Sequence, residues 1–131
     1  MIAVLDACAA VECALGESSA SKSMILLKEA EWVIAPDLFI AEVANTFWKY
    51  HSFSEMSKIE AEERMTKAMD LVDDLFDSSV MAREAFSLAV DMKHPVYDAL
   101  YLVLARRHDA VLLTSDKKLK VIASKLSISL A

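Results

Sequence analysis

The sequence predicts an α/β domain with a parallel sheet, on three observations. Ile2–Asp6 (IAVLD), Trp32–Ala35 (WVIA) and Val111–Thr114 (VLLT) are short apolar runs without alternation, the pattern of strands covered on both faces. Helical stretches separate them, which implies βαβ units with crossover connections and a parallel sheet. Asp6 ends the first run and Asp116 closely follows the third, so both acids fall beyond the carboxyl ends of strands, where open α/β sheets place their clefts.

After the first strand, Ala9–Leu15 (AAVECAL) reads as a short helix stopped by Gly16. Ser18–Ala30 carries a second helical pattern, with Met24 and Leu27 on its apolar face. Pro36 ends the second strand, and Asp37 is a reasonable N-cap for a helix to about Phe53. Ser57-Lys-Ile-Glu60 is a capping box, and the helix it opens is expected to reach about Phe76. Met65, Ala68, Met69, Val72, Leu75 and Phe76 form its stripe. Another helix covers about Val80–Met92. Pro95 suits the first turn of the next, Pro95–Arg107. Ala99–Ala105 (ALYLVLA) is apolar all round, so this helix is expected to be the central buried one. Arg106, Arg107 and His108 close it in agreement with the helix dipole. Lys117–Ser124 reads as a short helix and Ile128–Leu130 as a last strand.

The 131 residues suit one domain, 1–131. Apolar residues make up 56 %, which points to a buried sheet, a partner surface or both. The lone Gly16 excludes Gly-rich phosphate loops. A net charge of −6 argues against a general nucleic-acid binder but not against an enzyme that meets phosphates through cations. Cys8 and Cys13 form no disulfide framework or metal-ligand spacing, so a reducing cytoplasm is the simplest setting. The N-terminal stretch lacks a basic region and contains Asp6 and Glu12, unlike a signal peptide. No run reaches the roughly 18 apolar residues of a membrane span, so no membrane partner is expected.

Most of the 20 acids suit solvated faces, but four do not fit so easily. Asp6 and Asp116 are either helix N-caps or ligands at one rim of the sheet, and they meet only if their strands are neighbours. Asp98 shares a helical face with Tyr101, Leu102 and Ala105. A buried carboxylate is costly there, though the helix N-terminus or a cation offsets part of the cost. Glu42 forms a polar stripe with Asn45 and Lys49 and, taken alone, reads as solvated. Two carboxylates about 5 Å apart repel by roughly 3 kcal/mol at an effective dielectric of 20. Four in one pocket would raise each other's pKa or hold a divalent cation. With hard oxygen donors and no Cys or His ligand, that cation is Mg²⁺ or Mn²⁺, which suits phosphodiester hydrolysis.

These residues come in a telling order. Asp6 ends strand one; Pro36-x5-Glu42-x2-Asn45 follows; then Val96-Tyr97-Asp98-Ala99-Leu100-Tyr101-Leu102-x-Leu104-Ala105; then Leu113-Thr114-Ser115-Asp116. The whole chain thereby resembles the PIN-domain ribonucleases, in particular VapC-type toxins of prokaryotic toxin–antitoxin pairs. The resemblance implies a three-layer α/β/α sandwich with a parallel four- or five-stranded sheet. It implies that Asp6, Glu42, Asp98 and Asp116 hold Mg²⁺ or Mn²⁺ and are catalytic, with Thr114 and Asn45 in support. It implies cleavage of single-stranded RNA regions, often of tRNA or ribosomal RNA, by metal-activated water. A homodimer and a cognate antitoxin are the implied partners. Cys8 departs from the Ser or Asn common at its position; a thiol is the weaker donor, which bears on the support of Asp6.

Lys117, Lys118 and Lys120 are candidate RNA-backbone contacts, with Lys49 and Arg106 as weaker ones; a solvated helix face is the alternative. His51, His94 and His108 read as structural or solvent-facing. Trp48, Tyr50 and Phe53 read as core, or else as a dimer or antitoxin surface. Three functions compete: a metal-dependent endoribonuclease toxin, a non-catalytic PIN-like RNA- or protein-binding module, and a phosphoacceptor signalling domain. The last needs paired acids after strand one, and Asp6-Ala7-Cys8 has only one.

Overall fold

The computed structural model describes all residues, 1–131. Its centre is a parallel sheet of β1 (Ile2–Leu5), β2 (Trp32–Pro36), β3 (Asp74–Phe76) and β4 (Val111–Leu113), in the order β3-β2-β1-β4. Helices α1 (Ala7–Leu15), α2 (Ser21–Glu29), α3 (Leu38–Phe53), α4 (Lys58–Met69), α5 (Ala82–Met92), α6 (Val96–His108) and α7 (Lys117–Lys125) surround it. Together they form a three-layer α/β/α fold. None of the helices is long and apolar enough to cross a membrane.

The apolar runs become strands for the expected reason. Ala3, Val4, Leu5, Ile34, Ala35, Leu112 and Leu113 have no more than a trace of exposure, because helices cover both faces of β1, β2 and β4. In α6, every residue from Ala99 to Ala105 is buried, and the helix packs on β1, β2 and β4 as well as on α5. Glu84 of α5 receives hydrogen bonds from both Arg106 and Arg107 at 2.8 Å, which ties the far ends of these two helices together. Arg106 is therefore occupied by a protein carboxylate. α1, α3 and α4 pack against one another.

The caps follow local chemistry. Gly16 ends α1 at φ 70°, the left-handed conformation in which a Cβ is disfavoured. With no other glycine in the chain, Lys93 and Asp109 take the same conformation after α5 and α6, at φ 53° and 49°. Ser57 accepts from the Glu60 N–H at 3.1 Å, as its capping box implies.

Two boundaries differ from the sequence reading. The capping-box helix stops at Met69, and the expected last turns contain β3. Asp73 and Asp74 decide this. Asp73 accepts from the Val33 N–H at 2.8 Å and Asp74 from the Trp32 indole at 2.7 Å, so the segment is held along the edge of β2. These are long-range bonds that local periodicity does not reveal. Ile128–Leu130 contributes a single bridge, Leu112 to Leu130, rather than a full strand. Trp48 and Phe53 are exposed by 55 % and 76 %, which overturns the core reading of these two rings and leaves the surface reading open.

Candidate functional site

The register of the sheet builds the site. β1 and β4 are neighbours, with Leu5 opposite Leu113, and the Asp6 N–H donates to the Leu113 carbonyl at 2.9 Å. Both chains then leave the sheet on the same rim, which brings the residues after β1 and after β4 together. α3 and α6 supply two further walls. A cleft of about 640 Å³ results, and Asp6, Glu42, Asp98 and Asp116 all line it.

Asp6 is the buried member, 6 % exposed. It occupies the N-cap position of α1, yet its side chain makes no cap bond. Instead its Oδ2 accepts from the Thr114 hydroxyl at 2.6 Å and from the Cys8 thiol at 2.9 Å. Thr114 Oγ1 also accepts from the Asp116 N–H at 3.0 Å, so this hydroxyl links the two acidic strand ends. Asp116 caps α7: its Oδ1 accepts from the N–H groups of Lys118 and Leu119. The cap and cleft readings of Asp116 are therefore compatible, because one oxygen caps and the other is left over.

Glu42 is not a solvated stripe residue. Its Oε1 accepts from the buried Tyr101 hydroxyl at 2.7 Å, which joins α3 to α6. Asp98 stands in the first turn of α6, with its Oδ2 2.6 Å from the Nε2 of His94. Tyr101 and His94 are among the residues missed in the sequence, each holding one oxygen of a cleft carboxylate. No periodic signal marks Tyr101 as other than core, and His94 lies before α6, outside the helical spacing that would pair it with Asp98. Asn45 is exposed and lies outside the lining, whereas Thr46, one residue on, belongs to it. Cys8 does line the cleft. Lys49, Lys117 and Lys118 are exposed beyond its lining.

Electrostatics distinguishes this cleft from an ordinary polar surface. Six of its 12 lining residues are acids, the additional two being Glu12 and Glu17, and none is Lys, Arg or His. Cys8, Val11 and Glu12 share one face of α1 at helical spacing, a pattern that could have exposed Glu12 in the sequence. Burial pushes the Asp6 carboxyl up, against the lowering effect of its Cys8 and Thr114 hydrogen bonds, and the Asp98 charge adds to the rise. Burial, together with Asp6 and Asp98, pushes Glu42 up to about 7, although the Tyr101 bond opposes it. Burial and the Asp6 charge push the Cys8 thiol up to about 11, which keeps it a neutral donor.

A cluster that disfavours its own charge in this way favours a cation. Glu42, Asp98 and Asp116 each give one oxygen to a protein donor and keep the other without one. No buried side-chain oxygen or nitrogen lacks a partner, so these spare oxygens are open to the cleft. No three His, Cys, Asp or Glu side chains close into a ready-made coordination shell. This donor set fits Mg²⁺ better than a caged ion such as Zn²⁺, since Mg²⁺ commonly takes one or two carboxylates and keeps waters.

The metal-free protein should lose stability as pH rises. Between about 4.5, the ordinary value for Glu, and about 7, native Glu42 keeps a proton that the unfolded chain has released. The native state therefore binds more protons in that window, and its advantage shrinks through it. The Glu42 contribution is on the order of 1–2 kcal/mol after allowing for solvent screening of this half-buried group. Thermal melts in EDTA should show a lower Tm at about pH 8 than at about pH 5, and Mg²⁺ should restore it at the higher pH. A Tm that ignores both variables would contradict the acidic-cleft description.

Comparison with known proteins bears on the family and the fold. The family model described as PIN domain matches residues 3–125. Ribonuclease VapC3 of Pyrobaculum aerophilum is 29 % identical over 118 residues, covering 88 % of this chain and 90 % of that protein. The crystal structure of PAE2754 from Pyrobaculum aerophilum superposes with a TM-score of 0.76 at 24 % identity, over 93 % of this chain and 84 % of the other. The structure of VapBC2 from Rickettsia felis, bound to a DNA fragment from its promoter, has a TM-score of 0.68 at 19 % identity, over 100 % and 98 % of the two chains. The likeness of these structures is one of fold. With a match across nearly its whole length, the chain belongs to the PIN domain family.

Proposed function

We propose that this chain, as one domain over 1–131, is a metal-dependent endoribonuclease and the toxin of a type II toxin–antitoxin pair. The observation that carries the proposal is the convergence of Asp6, Glu42, Asp98 and Asp116 from four separate segments on one cleft without a basic side chain. The likeness to Ribonuclease VapC3 and to the chain of the VapBC2 complex supports the reading.

Asp6, Glu42, Asp98 and Asp116 would hold Mg²⁺ or Mn²⁺. The bound ion would supply charge neutralisation at the phosphate and activation of water. The chain's own residues prepare for this. Thr114 and Cys8 fix one oxygen of Asp6, Tyr101 fixes one of Glu42, and His94 faces one of Asp98, so these carboxylates are held rather than free to rotate. The substrate is a single-stranded region of RNA, of the tRNA or ribosomal class, with Lys117, Lys118 and Lys49 as contacts for its backbone. A homodimer, a cognate antitoxin and a cytoplasmic setting complete the proposal.

Purified protein should cut single-stranded RNA in Mg²⁺ or Mn²⁺, stop in EDTA, and be inert as Asp6→Ala under all conditions. The readout is a gel of end-labelled RNA. Cleavage that persists in EDTA and in Asp6→Ala would overturn the proposal. Tight RNA or protein binding without cleavage or Mn²⁺ uptake would favour the second reading, a non-catalytic PIN-like binding module.

A further inference from the structure

The acidic cleft leaves a problem for any RNA substrate: it offers six carboxylates and no side-chain cation to a polyanion. An ion held there answers for the scissile phosphate alone, so the rest of the strand must be gripped elsewhere. A second groove, of about 370 Å³, adjoins the cleft and shares Thr46 and Tyr50 with it. Its remaining lining is Lys49, Phe53 and Ser54.

The two cavities are joined by one face of one helix. Thr46, Lys49, Tyr50 and Phe53 follow at spacings of three, four and seven residues, and Glu42 begins the same face one turn earlier. α3 therefore carries a proposed metal ligand towards its N-terminal end and two aromatic rings with a cation towards its C-terminal end. The rings lie about 12 and 16 Å along the axis from Glu42, at 1.5 Å per residue, within reach of a nucleotide that flanks the cut.

The rings are already positioned. Tyr50 rests against the buried Phe47, with centroids 5.9 Å apart. Phe53 meets Trp48 edge to face at 5.5 Å and is 76 % exposed, so much of its surface is uncovered in the free protein. Lys49 forms no ion pair with any carboxylate, unlike Arg106. An uncovered aromatic surface beside an uncommitted ammonium, continuous with a phosphate-cutting cleft, has the composition of a single-strand stacking platform.

We propose that the Lys49–Tyr50–Phe53 groove is a nucleobase subsite: Tyr50 and Phe53 stack a base flanking the scissile phosphate, and Lys49 pairs with its backbone phosphate. This rests on the nuclease reading, which assigns contacts to the backbone alone, and adds one for a base. The platform is sequence-tolerant, because every base has a stackable face. It also requires an unpaired strand, because a base within a duplex cannot turn onto the rings.

The test measures binding apart from cleavage. Asp98→Asn protein in Mg²⁺ is titrated against a fluorescein-labelled single-stranded RNA and followed by anisotropy. Adding Phe53→Ala should weaken binding roughly tenfold, the loss of one stacked base, and Phe53→Trp should retain it. Adding Lys49→Gln should flatten the salt dependence by about 0.7 in log–log slope, one single-strand phosphate contact. An abasic residue walked along the RNA should weaken binding at one position, and that penalty should vanish in Phe53→Ala. Unchanged affinity in Phe53→Ala and Lys49→Gln, with no sensitive abasic position, would overturn the subsite and leave the groove to a protein partner. Wild-type protein that shows these binding effects but never cuts would overturn the nuclease reading and keep the groove as a single-strand binding site.

Discussion

Asp98→Asn should lower kcat for RNA cleavage by roughly 10²–10³-fold, the scale of losing one aligned electrostatic partner in a shielded site. The substitution keeps the shape and removes the charge. The amide oxygen that replaces Oδ2 can still accept from His94 across the 2.6 Å contact that Asp98 now makes, so the first turn of α6 need not rearrange. What is lost is one of the four proposed anionic metal donors among the six acids that line the cleft. Folding should not suffer, and Tm should hold or rise in EDTA, because the Asp98 charge raises the pKa of both Asp6 and Glu42 in the native state. Activity and stability should therefore move in opposite directions, which a simple folding defect cannot produce. Single-turnover cleavage of labelled RNA and thermal melts of the same preparation would check it. Wild-type turnover in Asp98→Asn would remove Asp98 from the chemistry.

Leu104→Ala should destabilise the fold by roughly 2–5 kcal/mol, the range for emptying a fully buried leucine site. Leu104 is completely buried within the all-buried run of α6, on the helix that packs against three of the four strands. Small domains have only about 5–15 kcal/mol in hand, so much of the stability would be lost. Urea unfolding should show a lower midpoint with an unchanged m-value. Because α6 also carries Asp98 and Tyr101, cleavage should stay intact at low temperature and fail on mild heating as the helix loosens. A loss below about 0.5 kcal/mol, the scale of a surface change, would mean that α6 is not the central buried element.

The parts of the fold legible in the sequence were those governed by short-range patterns. Unalternating apolar runs identified β1, β2 and β4, a capping box began α4, and Gly16 ended α1. The acids stood out by contrast with their surroundings, as Asp6 and Asp116 did after apolar strands and Asp98 did within the most apolar helix. β3 was not legible, because Asp73 and Asp74 hold it to β2 with bonds across some 40 residues. The choice between core and surface for Trp48 and Phe53 stayed open because composition does not reveal which face of α3 the rest of the chain covers. His94 escaped because a histidine before a helix looks the same whether or not a carboxylate faces it.

By itself, then, the sequence determined an α/β chain with carboxylates at strand ends and in helix first turns, since apolar periodicity and caps are properties of neighbouring residues. Only the tertiary structure decided that β4 lies beside β1, that Tyr101 and His94 hold Glu42 and Asp98, and that Glu12 and Glu17 join the same wall. Those facts depend on strand order and helix packing, which are set by how distant apolar faces bury one another. Local sequence carries no record of that choice until the chain has closed.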